Sequence, residues 1–148
     1  MLSTTLIDIL FKGTIDRIAP AFINEYISGC KDWWWNEPKM DSKKEIVDVV
    51  AVFENNLYVD LAISTDNFCI LNHSVPHVFI NFTRKEDAVE LLFFLDLMNI
   101  GGGSVRDKID NIEKWVIEFR TRYQFDEVVC QLDNGDKLAD SNTECQQS

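Results

Sequence analysis

Residues 45–63 read EIVDVVAVFENNLYVDLAI, and the period assigned to this stretch decides the fold. Val47, Val49, Ala51 and Phe53 alternate with Ile46, Asp48, Val50 and Val52. Beyond Glu54-Asn55-Asn56, Leu57, Val59, Leu61 and Ile63 alternate with Tyr58, Asp60 and Ala62. A period of two in a β-branched segment predicts a hairpin. A three-residue loop at 54–56 sets Phe53 opposite Leu57 and Val49 opposite Leu61, whereas a two-residue turn mixes the faces. The opposite face then carries Asp48, Tyr58 and Asp60.

Upstream, Leu6, Ile7, Leu10 and Phe11 form a short helical stripe, and a second stripe from Ile15 to Ile27 is broken near Pro20 and stopped by Gly29. Two N-terminal helices are expected. Downstream, 68–71 and 78–82 supply two more strands, completing a four-stranded, mainly antiparallel meander. Thr83-Arg84-Lys85-Glu86 has the form of a capping box. It predicts a helix over 88–98, with Ala88, Leu91, Leu92, Leu95 and Met98 at helical spacing. After Gly101-Gly102-Gly103, Ser104 caps a last helix whose Val105, Ile109, Ile112, Val116, Phe119 and Tyr123 face inward. A short strand or hairpin around Asn134-Gly135 and a polar tail over 141–148 complete the reading. The expected class is α+β, one domain over 1–148.

Between Gly29 and Pro38 lies Trp33-Trp34-Trp35. Pro38 holds the residue before it out of the helical region, so the segment reads as extended, with Trp33 and Trp35 pointing one way and Trp34 the other. Trp33 and Trp35 are expected to be buried and Trp34 exposed.

The net charge of −11 is unevenly spread. Acids against bases number 6 to 2 over 41–82 and 6 to 1 over 126–148, so nine of the eleven excess charges lie there. Such a field repels phosphate backbones and anionic membranes and speeds encounter with basic partners. Neither nucleic acid nor membrane is the expected partner. The N-terminal stretch lacks a basic region ahead of its apolar patch, and the longest apolar run is about half the ~20 residues of a spanning helix, so a cytoplasmic protein is expected. Four cysteines in no C-x-x-C pair read as mostly core thiols.

No constellation carries chemistry strongly. Cys69, His73 and His77 are zinc-ligand types, but Pro76 rules out a shared helical face and a fourth ligand is lacking. The glycine run before Ser104 lacks the G-K-[ST] of a phosphate loop. Asp48 and Asp60 could pair for acid and base work, yet solvated strand acids have the same appearance. No cofactor, metal or catalytic residue is assigned.

Small size, acidic excess, exposed aromatics and the absence of a catalytic signature make the chain resemble the immunity proteins of contact-dependent growth inhibition systems. The resemblance implies a binding protein, not an enzyme, that captures a basic toxin domain, often a nuclease, through charge complementarity and a few aromatic anchors. The acids expected to serve are Asp48, Asp60, Asp66, Asp126 and Glu127, with Tyr58 and Trp34 as anchors. Two rivals make different demands. A small enzyme or ligand-binding module needs a pocket between sheet and helices. An acidic mimic of DNA needs regularly spaced surface carboxylates.

Overall fold

A computed structural model describes residues 5–17, 32–38, 49–101 and 103–132, and the backbone of 137–139. A seven-stranded antiparallel sheet forms the frame, built from β1 (Leu6–Thr14), β2 (Asp32–Glu37), β3 (Tyr58–Thr65), β6 (Val78–Lys85), β7 (Ala88–Asp96), β8 (Glu127–Leu132) and the three-residue β9 (Lys137–Ala139). Its order is β2-β3-β6-β7-β1-β8-β9. A separate hairpin joins β4 (Phe68–Ile70) to β5 (His73–Val75). Two helices are described, α1 (Val49–Asn55) and α2 (Val105–Tyr123).

The α+β class and a mainly antiparallel sheet stand, but the four-stranded meander does not: of its expected strands only 57–63 and 78–82 lie in the main sheet, 68–71 pairs in the separate hairpin, and several other assignments change. Residues 6–11 are strand rather than helix. Ile7, Ile9 and Phe11 are fully buried while Leu6, Asp8 and Leu10 on the other face are half-buried. Flanked by β7 on one side and β8 on the other, this strand is paired on both edges over Ile7–Lys12, which no isolated two-turn helix could match. The second expected N-terminal helix falls mostly at 18–31, outside the described residues. The expected helix over 88–98 is β7, in which Val89, Leu91, Phe93 and Leu95 are buried and Glu90 is exposed. Thr83–Lys85 ends β6, and Glu86, at φ 56°, opens the two-residue turn into Ala88.

The first arm of the expected hairpin is also corrected. From Val49 onward it is helix, burying Val49, Val52 and Phe53 at helical spacing. Residues 45–48, Asp48 among them, lie outside the described residues. The second arm is β3, paired with β2 and β6. Tertiary packing decided the first case: Phe53 stacks on Phe82 with ring centroids 4.2 Å apart and lies 6.2 Å from Trp35.

Helix α2 covers one face of the sheet. Phe11 meets Phe119 at 4.8 Å and Phe93 meets Trp115 at 5.1 Å, with Phe68 of β4 at 5.6 Å from Trp115. Each buried aromatic of this kind contributes roughly 1.5–3 kcal/mol of transfer free energy. Ser104 caps α2 as expected: its Oγ accepts from Asp107 N at 3.1 Å, and Asp107 Oδ2 accepts from Ser104 N at 3.2 Å. Expected inward, Val105 is instead exposed. The C-terminal strand is present as β8. Cys130 on it is buried and disulfide-bonded, and Cys69 is an exposed free thiol, so neither of these two is a core thiol.

Candidate partner-binding face

Because every strand alternates, the face of the sheet turned away from α2 is itself a composed surface. Its middle row runs Trp34, Ala62, Asn81, Leu92, Leu10, Val129 across six strands. One row on, toward the β6–β7 turn, come Glu37, Asp60, Thr83, Glu90, Lys12 and Glu127. On the other side lie Asp32, Ser64, Phe79, Phe94, Asp8 and Gln131. Across these three rows six carboxylates accompany one lysine, with Lys85 one row further on. An apolar centre thus has an acidic border.

Trp34 and Trp35 lie as expected, whereas Trp33, expected to be buried, is only partly so. Trp35 is 7% exposed against Phe53, Trp33 is half-buried with its ring 6.3 Å from that of Trp35, and Trp34 is 39% exposed on the opposite face. Strand alternation separates them, and Trp34 lies 6.2 Å from the ring of Phe79.

Within the acidic row Asp60 is held in place. Its Oδ1 accepts from Asn81 Nδ2 at 2.6 Å and from Asn36 Nδ2 at 3.3 Å, and Asn81 also donates to the carbonyl of Leu61. Asp60 borders a groove of about 670 Å³ whose wall includes Glu37, Tyr58, Thr83, Lys85 and Glu90. Tyr58 OH donates to Glu86 Oε1 at 3.1 Å, and this bond, with the charge of Glu86, raises the phenol above its ordinary range. A carboxylate fixed by two amides beside an aromatic ring is suited to receiving an ammonium or guanidinium group.

Of the residues expected to bind a partner, Trp34, Tyr58, Asp60 and Glu127 lie together on this face. Asp126, next to Glu127, is bonded to Arg17 at 2.8 Å. Asp66 follows the far end of β3, where its Oδ1 accepts from His77 N at 3.2 Å and lies 3.4 Å from His77 Nδ1. Asp48 is not described. The sequence reading missed Glu37, Glu90, Phe79, Phe94, Leu92 and Leu10. For β7 the signal was present, since Glu90, Leu92, Phe94 and Asp96 alternate with Val89, Leu91, Phe93 and Leu95.

The other constellations are dispersed. Cys69 Sγ donates to Leu71 O, His77 engages Asp66, and His73 packs so closely on Gly101 that an added Cβ would lie 2.1 Å from its Nδ1. Among the described residues no three His, Cys, Asp or Glu side chains are placed to hold a metal ion. At the start of α2, Asp107 itself occupies the position an anion would take. No described helix is long and apolar enough to cross a membrane.

No protein-family model matches the chain, and no curated protein matches it in sequence. Its structure is similar to a chain of the 1.75 Å crystal structure of the toxic C-terminal tip of CdiA from Pseudomonas aeruginosa in complex with immune protein. The TM-score is 0.64 at 14% identity, over 95% of this chain and 96% of that one. The likeness is one of fold.

Proposed function

We propose that this chain is an immunity protein: an acidic binding protein that neutralises a basic toxin domain by occupying its surface, without chemistry of its own. The observation that carries the reading is the fold likeness, end to end, to a chain of a toxin–immune complex. That complex contains both kinds of protein, and charge argues for the immune role. A net charge of −11 suits capture of a cationic domain and opposes any action on nucleic acid. A toxin domain that degrades nucleic acid would have the complementary sign.

The ligand-binding alternative has less support. It asked for a pocket between sheet and helices, a space filled here by Phe11, Phe93, Trp115 and Phe119. The groove beside Asp60 opens on the other face.

Expression of the chain alone, and together with a basic toxin domain of the kind that an adjacent reading frame would encode for an immunity protein, tests the reading. Alone it should leave growth unchanged, and together with the toxin it should restore growth. Growth arrest by the chain alone would make it the toxic member, and failure to protect would remove the immunity role. In purified form the association rate should fall steeply with added salt while dissociation changes little, since steering contributes about 10- to 1,000-fold at low ionic strength. An association rate flat with salt would remove charge complementarity from the account.

A further inference from the structure

We infer that the toxin docks on the open face of the sheet, not on the helical side, and that it does so with a flat surface whose apolar centre is bordered by lysine or arginine. The inference rests on the immunity reading and adds the surface and the partner's chemistry.

The two sides of the molecule differ in kind. On its accessible side helix α2 presents a near-balanced set of charges, with Asp107, Asp110 and Glu118 against Arg106, Lys114, Arg120 and Arg122, while Lys108 and Glu113 are buried. The open sheet face holds six carboxylates to one lysine in three rows. A basic domain approaching this protein therefore meets its complement on the sheet.

The apolar part of that face also lacks an intramolecular role among the described residues. Leu10, Phe79, Leu92 and Phe94 are each only partly buried and are not among the residues packed against the core that α2 closes. Large apolar groups in a contiguous, charge-poor centre with a charged rim are the anatomy of a protein interface.

Size agrees as well. Five inter-strand steps of about 4.8 Å and, counting the further row of Tyr58, Lys85 and Ala88, three same-face steps of about 6.8 Å span roughly 24 by 20 Å between outermost side chains. With side-chain width added, this approaches the ~800 Å² that each partner gives to an interface of standard size. Glu37, Asp60, Glu90 and Glu127 lie with Lys12 along one long side of this area and Asp32 and Asp8 along the other, so the partner's cations must border its apolar centre on both sides. In the groove, Asp60 is preset by Asn81 and Asn36 to receive one of those cations.

Hydroxyl-radical footprinting of the wild-type chain, free and bound to the toxin domain used in the protection test, reads side-chain accessibility directly. Oxidation of Trp34, Phe79, Leu92 and Phe94 should fall at least five-fold in the complex, while exposed Met98 should be unchanged. In parallel, Glu90→Lys should weaken binding at least ten-fold with an unchanged unfolding midpoint, and Glu118→Lys on α2 should weaken it less than two-fold. Protection confined to α2, or loss of binding with Glu118→Lys but not with Glu90→Lys, overturns the assignment and leaves the immunity role intact. A wild-type chain that binds no basic toxin domain overturns both.

Discussion

Arg84 donates through Nη1 to the carbonyl oxygen of Phe53, so a side chain from the sheet closes the last turn of α1. The same guanidinium reaches Glu54 O at 3.3 Å and Glu86 O at 2.6 Å, and the residue is 9% exposed. Helix C-termini leave carbonyls unpaired, and a buried cation that meets them satisfies both groups at once. Arg84→Ala should therefore cost about 2–4 kcal/mol, the sum of a lost charged hydrogen-bond set and a cavity. Arg84→Lys should recover only part, because an ammonium lacks the planar fork. Urea unfolding of the two variants decides this, and equal stability of Arg84→Ala and wild type would contradict it.

The tryptophans should separate by stability. Trp35→Ala removes a ring packed on Phe53 and should cost about 3–5 kcal/mol. Trp34→Ala, on the open face, should change stability by no more than about 0.5 kcal/mol. Trp33→Ala should fall between them. If Trp34 anchors the partner, its removal should weaken binding by more than about 2 kcal/mol with the fold intact. Thermal unfolding and calorimetric binding on the three variants give both quantities.

Ser104 and Asp107 exchange hydrogen bonds at the start of α2. Ser104→Ala should lower stability by about 1 kcal/mol, and Ser104→Gly by only a few tenths. An alanine variant as stable as wild type in chemical denaturation would show that tertiary contacts alone set that helix start.

The phenol of Tyr58 titrates above its ordinary value because it donates to Glu86 and faces that charge. A group whose folded value is raised contributes stability that is fully present below its unfolded value and lost as pH rises through the folded one. Glu86→Gln should bring the titration back toward the ordinary phenol value. Phenolate absorbance followed through an alkaline titration, with Tyr58→Phe to identify the signal, measures the shift. No displacement between wild type and Glu86→Gln would disprove the coupling.

What was legible in the sequence followed from whether one face of an element meets water. β3, α2 and β8 each have polar residues on the outer face, and their periods were readable. β1 and β7 mix the two: beside Asp8, Lys12 and Glu90, Leu6, Leu10, Leu92 and Phe94 populate the open face with apolar groups, and the added leucines created spurious helical stripes. The same residues form the apolar centre of the candidate interface, so the feature that concealed the strands is also the one that marks the surface. α1 failed in the opposite direction. Its valines favour a strand locally, but Val49, Val52 and Phe53 are buried at helical spacing, with Phe53 stacked on Phe82. No local signal distinguishes that outcome. The candidate acids were legible where they lay on β3 and β8, and Glu90 was not, because its element had been assigned to the wrong period.

The placement of β1 has a consequence for biogenesis. The first of the described strands to be synthesised, it needs β7 on one side and β8 on the other, so its second edge stays unpaired until nearly the whole described chain has been made. At translation rates of about 5–20 residues per second, that wait is on the order of 6 to 24 s. During it the apolar strand offers an open edge of the kind that recruits other chains. A nascent chain cut short before Glu127 should for this reason be insoluble rather than partly active.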